Sequence, residues 1–160
     1  MVNSIIEDEL IKKTLASAKV IAMVGVSSVK KEVSQNLKRR PSIIVMKYLQ
    51  EFGYRVIPVN PFSAGKEIHG ETIVAKLEDI KLSVDIVDVF RPSIEAPTFA
   101  EETVKIKAKA LWLQYGIQNQ EAKKIVNSAN ILYIENKCIK QEYQRLFLKV
   151  SPVYPALKNN

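Results

Sequence analysis

The segment IAMVGVSS, residues 21–28, decides the fold class, because an apolar run there reaches a glycine that is followed by two serines. Short continuous apolar runs are typical of strands buried on both faces of a parallel sheet. Gly25 permits close approach of a ligand to the backbone, and the serines offer hydroxyl and amide donors for phosphate oxygens. Taken alone, the pattern fits equally well a tight strand-to-helix turn. It predicts a buried strand and a candidate phosphate loop formed by Gly25, Val26, Ser27 and Ser28.

The rest of the chain alternates helical and strand patterns around this segment. Such alternation predicts an α/β fold: a Rossmann-like, doubly wound parallel sheet of about five strands with helices on both faces. Ser4 and Glu7 fit a capping box, and the acidic residues from Glu7 onward would fill a first helical turn. Helices are expected at 4–18, 41–52, 93–107 and 119–129, and strands at 19–25, 54–59, 83–90, 108–113 and 131–134, with a C-terminal helix or tail at 139–160.

Length and composition limit the class of protein. The 160 residues predict a single domain, 1–160, and the net charge of +7 suits an anionic partner such as nucleic acid, a membrane surface or a phosphorylated metabolite. The chain shows neither an apolar stretch of about 20 residues nor a signal peptide. Its one cysteine, Cys138, favours a cytoplasmic location.

Candidate ligand-binding residues follow from the fold, because ligands of open parallel sheets bind beyond the carboxyl ends of the strands. Arg91 is a candidate anion clamp there, or else pairs with Asp88 or Glu95. Trp112 is expected in the core rather than as a stacking platform. The other predicted residues at these strand ends are Asn60, Pro61, Phe90, Gln114, Tyr115, Gly116 and 136–138.

Several familiar chemistries are excluded or disfavoured. A dinucleotide fingerprint would need two further glycines after Gly25 and an acidic residue where Asn60 stands, and no phosphate-binding loop of the Walker type is present. No metal site is proposed, because the sequence lacks the spacings of common histidine and cysteine ligand sets. His69 is the only histidine and is expected in a surface or capping role.

Two features leave alternatives open. Residues 29–40 carry five basic residues against one acidic residue, so they form either a phosphate-neutralising loop or a solvated one. Cys138 lies near Lys137 and Lys140, which would lower the pKa of a reactive thiol, although a single cysteine is also common as a structural residue.

Six motifs together resemble one family. They are AMVGVSS (22–28), RPSIIVMKYLQEFGYRVIPVNP (40–61), AGKEIHGE (64–71), VDIVDVFRPS (84–93), LWLQYGIQNQEA (111–122) and ENKC (135–138). In this order and spacing they resemble the stand-alone bacterial CoA-binding domain proteins, over residues 15–142. That family is in turn similar to the CoA-binding domains of the succinyl-CoA synthetase α subunit and of ADP-forming acyl-CoA synthetases.

The resemblance implies binding of coenzyme A or an acyl-CoA, without a reaction of the chain's own. It implies that Gly25, Val26, Ser27 and Ser28 face the phosphates, with further contacts from Arg40 and Ser42. It places Asn60 and Pro61 beside the adenosine, Phe90 and Arg91 along the nucleotide or pantetheine, and Gln114, Tyr115 and Gly116 at the far wall. Cys138 would fall near the thiol.

The loop between Ser28 and Arg40 departs from the family by being longer and more basic. The phosphohistidine and ATP-grasp domains of the synthetases have no counterpart here, so the resemblance implies binding rather than ligation. Two alternatives are an enzyme that uses Cys138 on acyl-CoA or the CoA thiol, and a basic nucleic-acid-binding protein, which the lack of interleaved aromatic residues disfavours. No membrane partner is expected, and the oligomeric state is open, with a homodimer as one option.

Overall fold

A parallel five-stranded sheet forms the centre of the computed structural model, which describes the backbone of residues 2–27 and 41–150 and the side chains from Ser4 onward. The strands are β1 (Val20–Val24), β2 (Arg55–Val59), β3 (Glu67–Ile68), β4 (Glu71–Thr72), β5 (Ile86–Val89), β6 (Ala110–Leu113) and β7 (Leu132–Ile134). The helices are α1 (Val2–Ser17), α2 (Pro41–Glu51), α3 (Ala96–Lys105), α4 (Gln120–Ser128) and α5 (Ile139–Phe147).

The order of the strands is β2-β1-β5-β6-β7, and every pair within this sheet is parallel. The chain therefore runs from β1 outward to β2 and then returns across β1 to β5. This is the flavodoxin-like arrangement, whose topological switch point lies between β1 and β5. The predicted α/β class with a doubly wound parallel sheet is confirmed.

Both faces of the sheet are covered by helices. Side chains alternate between the faces along each strand, so that Ile21 and Met23 of β1 face one side while Ala22 and Val24 face the other. The first side packs against α1, α2 and α5, and the second against α3 and α4. Trp112 is fully buried in the first of these cores, as expected.

The segment after β2 forms a small antiparallel hairpin from β3 and β4. Its turn residues, His69 and Gly70, both have positive φ angles, of 49° and 83°. Positive φ at both positions is the requirement of a tight two-residue hairpin turn. His69 is thus a turn residue, and its Nε2 atom lies 3.3 Å from the carbonyl oxygen of Ile43.

The N-terminal helix departs from the sequence expectation. It begins at Val2, so Ser4 lies inside the helix and the predicted capping box with Glu7 does not mark its start. For the same reason Glu7, Asp8 and Glu9 lie beyond the first turn. Asp8 instead binds Arg145 of α5, which joins the two ends of the chain.

Candidate functional site at the carboxyl edge of the sheet

A cavity of about 380 Å³ opens at the carboxyl ends of β1, β2 and β5, beside the topological switch point. This is the position at which open parallel sheets bind ligands, and the volume lies at the lower end of the range for small-molecule sites. Among the described residues, its lining consists of Val24, Gly25, Val59, Asn60, Pro61, Phe62, Ala75, Lys76, Arg91, Glu95, Phe99 and Glu102.

Gly25 turns the chain out of β1 at the edge of the cavity. Its φ of +88° is disfavoured for residues with a side chain, and its N–H donates to the carbonyl of Val59 at 3.0 Å. A Cβ at this position would lie 2.8 Å from Cδ of Arg91. Glycine is therefore required here both by the backbone conformation and by the approach of Arg91.

The loop after Gly25 is held by side chains from two other elements. The amide of Asn60 donates to the carbonyl of Val26 at 2.7 Å, and its oxygen accepts from the N–H of Phe62 at 2.8 Å. Ser42, buried in the first turn of α2, accepts a hydrogen bond from the N–H of Ser27 at 3.1 Å. Asn60 and Ser42 thus shape the loop, and the Ser27 amide is already occupied by a protein acceptor.

Arg91 pairs with Glu95, one of the two partners considered from the sequence. Its Nε and Nη2 donate to the two carboxylate oxygens at 3.0 and 2.8 Å. This hydrogen bonding lowers the pKa of Glu95 and raises that of Arg91. Both residues line the cavity, so the Arg91 guanidinium is held at its wall by Glu95.

Asp88, the other partner considered for Arg91, is fully buried. Its side chain points to the opposite face of the sheet from those of its neighbours Val87 and Val89. Neither of its carboxyl oxygens has a hydrogen-bond partner among the described residues. Burial without compensation raises the pKa of Asp88 well above its ordinary value. Asp88 is thus a buried carboxyl group whose surroundings favour its uncharged form.

Phe90, directly after β5, and the predicted residues after β6 lie along the same edge but outside the described lining of this cavity. Phe90 packs against the first core. Gln114 is buried, and its side-chain oxygen accepts from the N–H of Ile139 at 3.1 Å. Tyr115 is half-buried, and Gly116 is exposed, with φ of +89° and its N–H bound to Asn136. Gln114 thus supports the start of α5.

Cys138 differs from the expectation of an activated thiol. It is half-buried at the start of α5, and desolvation raises the pKa of its thiol despite hydrogen bonds from the backbone of Gln141 and from Gln114. The lowering expected from Lys137 and Lys140 is therefore wrong, because burial raises the pKa of the thiol and the charges of these lysines are not among the causes of the shift.

The lining residues that sequence reasoning missed include Phe62, Lys76, Phe99 and Glu102. The spacing of Glu95, Phe99 and Glu102 is i, i+4, i+7, which places them on one face of a helix. That signal was readable, but only the structure shows that this face borders the cavity. Phe62 directly follows Pro61, and its side chain is 93% exposed.

Three further predictions concern Ser28, Arg40 and the basic stretch 29–40, all of which lie outside the described residues. In the described part of the chain, no set of three or more histidine, cysteine, aspartate or glutamate residues is grouped to hold a metal ion. None of the helices in that part has the length and apolarity needed to cross a membrane.

The fold is that of a Rossmann-like protein, and a cavity lies at the switch point of its sheet. The chain belongs to the CoA binding domain family, whose model matches residues 19–144. It is 37% identical over 130 residues to the uncharacterized protein YneT of Bacillus subtilis, covering 81% of this chain and 89% of that protein.

Solved structures show the same relationship. A Thermus thermophilus protein, cell-free ID.343, is 38% identical with a TM-score of 0.78, covering 88% of this chain and 98% of that one. A hypothetical protein from Pyrococcus horikoshii is 37% identical with a TM-score of 0.76, covering 87% and 91%. The resemblance to stand-alone CoA-binding domain proteins is confirmed.

A more distant neighbour shows the fold alone. The dinucleotide forming acetyl-coenzyme A synthetase 1 of Ca. Korarchaeum cryptofilum is 22% identical with a TM-score of 0.56. The match covers 74% of this chain but only 26% of that enzyme.

Proposed function

We propose that this protein is a single-domain, cytoplasmic binder of coenzyme A or an acyl-CoA, without catalysis of its own. The observation that carries the proposal is the cavity at the carboxyl ends of β1, β2 and β5, in a chain that matches the CoA binding domain over residues 19–144. The ligand would lie along this edge, with its nucleotide end at the cavity and its pantetheine directed toward β6 and β7.

The charges of the site suit such a ligand. Coenzyme A carries about four negative charges near neutral pH, on its pyrophosphate and its 3′-phosphate. Arg91 and Lys76 line the cavity, and the Gly25 turn lets a pyrophosphate approach the backbone closely. Since Ser42 already binds the Ser27 amide, we expect Ser27 to contribute its hydroxyl to the phosphates. Ser28 and Arg40 are further proposed contacts of the phosphates.

Calorimetric titration with coenzyme A and with dephospho-coenzyme A tests the proposal. Binding of coenzyme A with the higher affinity would assign a role to the 3′-phosphate. Absence of heat from either ligand at high micromolar concentrations would reject the proposal.

The matched variants are Arg91→Ala and Arg55→Ala. Arg91→Ala should weaken coenzyme A binding roughly tenfold or more, the usual loss for a hydrogen bond to a charged group. Arg55 stands at the opposite end of its strand, where it pairs with Glu71 on the surface, so Arg55→Ala should leave affinity unchanged. Equal affinities of the two variants would remove Arg91 from the site.

The two alternatives make different predictions. A thiol enzyme is disfavoured by the raised pKa of Cys138, and a mass increase of one coenzyme A after incubation with CoA disulfide would revive it. A nucleic-acid-binding protein would show steeply salt-dependent binding to arbitrary DNA or RNA. Gel filtration at micromolar concentration would reveal a homodimer, the remaining partner proposal.

A further inference from the structure

Glu102 is the lining residue that phosphate binding does not explain. Among the described residues, the cavity is lined by two cations, Lys76 and Arg91, and two carboxylates, Glu95 and Glu102. Glu95 is hydrogen-bonded to Arg91, whereas Glu102 makes no hydrogen bond within the described part of the chain and is only attracted at longer range by Lys105 and Lys76. A carboxylate whose hydrogen-bonding oxygens are not engaged would repel a phosphate placed beside it.

The balance of charge therefore indicates which part of a nucleotide enters the cavity. Its described cations and carboxylates are equal in number, so a phosphate is attracted mainly where Arg91 lies beside the Gly25 turn and less in the rest of the cavity. Apart from Asn60 the remaining lining is apolar, and Phe62 and Phe99 add aromatic side chains at the β2 end and on α3. Aromatic faces of this kind stack on nucleobases. The cavity thus suits the uncharged base, and the phosphates would then lie at its opening near Gly25.

The position of Glu102 gives it a specific task toward such a base. Three helical positions separate it from Phe99, so both side chains project from the same face of α3 into the cavity. It is half-buried, and desolvation, reinforced by Glu78, raises the pKa of its carboxyl. An ionised carboxylate only accepts hydrogen bonds, and in low-polarity surroundings it needs a donor.

We propose that Glu102 reads the base of the bound nucleotide by accepting a hydrogen bond from the exocyclic amine of adenine. This inference rests on the proposed function and extends it, because it assigns the base specificity of the same site to one residue. A hypoxanthine in place of the adenine presents a carbonyl oxygen where the amine was. Two acceptors would then face each other, and the half-buried carboxylate would lose its donor.

The test compares coenzyme A with its desamino analogue, which carries hypoxanthine, by calorimetry at pH 7. The wild-type protein should bind coenzyme A about tenfold or more tightly than the analogue. Glu102→Ala should reduce this ratio to near one. Glu102→Gln should also narrow it, because a side-chain amide can donate to the hypoxanthine oxygen as well as accept.

Glu101→Gln is the matched control, because Glu101 is the exposed neighbour of Glu102 on α3 and should leave the ratio unchanged. An unchanged ratio in both Glu102 variants, or equal wild-type affinities for the two ligands, would overturn the inference while the proposed function stood. Absence of binding to either ligand by the wild-type protein would instead overturn the proposed function, and this inference with it.

Discussion

The side chain of Arg91 crosses directly over Gly25, so closely that its Cδ lies 2.8 Å from where a Cβ would stand. The segments that follow β1 and β5 are therefore packed closely against each other at the switch point of the sheet. A side chain at position 25 would displace the one guanidinium that the described part of the cavity lining contains.

Gly25→Ala should therefore destabilise the protein by more than its backbone strain alone. The positive φ costs about 1–2 kcal/mol for a residue with a Cβ, and the clash with Arg91 adds to it. Gly53→Ala is the control, because Gly53 has a similar φ of +98° but open space around the added Cβ. Urea denaturation should show the larger loss for Gly25→Ala, and only that variant should also weaken coenzyme A binding. Equal losses would mean that Arg91 moves aside freely.

Asn60→Asp should destabilise the folded protein by about 1–3 kcal/mol at pH 7, because it removes the donor to the Val26 carbonyl and places a carboxylate beside that oxygen. The loss should shrink at acidic pH, where a protonated carboxyl can donate again. Asn130→Asp, at an exposed turn, should stay within about 0.5 kcal/mol of the wild type. A stable Asn60→Asp variant would show that this bridge is dispensable.

Asp88→Asn should stabilise the protein increasingly as the pH rises. The pKa of Asp88 is raised in the folded state, so its contribution is most favourable below the ordinary carboxyl pKa of about 4 and is lost as the pH rises toward the folded value. The difference in unfolding free energy between variant and wild type should grow by up to about 1.4 kcal/mol per pH unit across this window. Denaturation of both proteins at pH 5, 6 and 7 checks this. If the unfolding free energies of variant and wild type changed in parallel with pH, Asp88 would be ionised in the native state and the prediction would be wrong.

Cys138 should react slowly with thiol reagents in the folded protein. Desolvation raises the pKa of the thiol, which reduces the thiolate available at neutral pH. Labelling of the native protein at pH 7 should be at least about tenfold slower than labelling in urea. Cys138→Ser identifies the labelled site by its loss of the adduct mass. Equal rates would restore the reading of Cys138 as a reactive residue.

The order of elements was predictable because buried parallel strands are continuous apolar runs and their helices carry a regular apolar stripe. The start of α1 could not be predicted. Ser4 and Glu7 match a capping box that would begin a helix at Ser4, whereas the helix already begins at Val2. The carboxyl edge was predictable as the location of a cavity, and so was the presence of Gly25, Asn60 and Arg91 at that edge. The hydrogen-bond partners of Asn60 and Ser42 could not be predicted, because they depend on contacts between segments that are distant in sequence.

The position of Glu102 in the cavity lining could not be predicted from the sequence. An acidic residue late in a helix ordinarily indicates a solvated face. Its placement in the cavity depends on the rotation of α3 against the sheet, which is set by the burial of Ala96, Ala100 and Thr103 on the neighbouring stripe. A residue one position further along the helix would point elsewhere.

The indole of Trp112 is fully enclosed and donates from Nε1 to the carbonyl of Lys137 at 2.7 Å. As the protein's only tryptophan, it is a built-in fluorophore for the measurements above. Its emission should move to longer wavelength as the sheet opens and water reaches the ring. Because Trp112 is outside the described lining of the cavity, this signal should follow unfolding and respond little to a nucleotide bound beside Gly25.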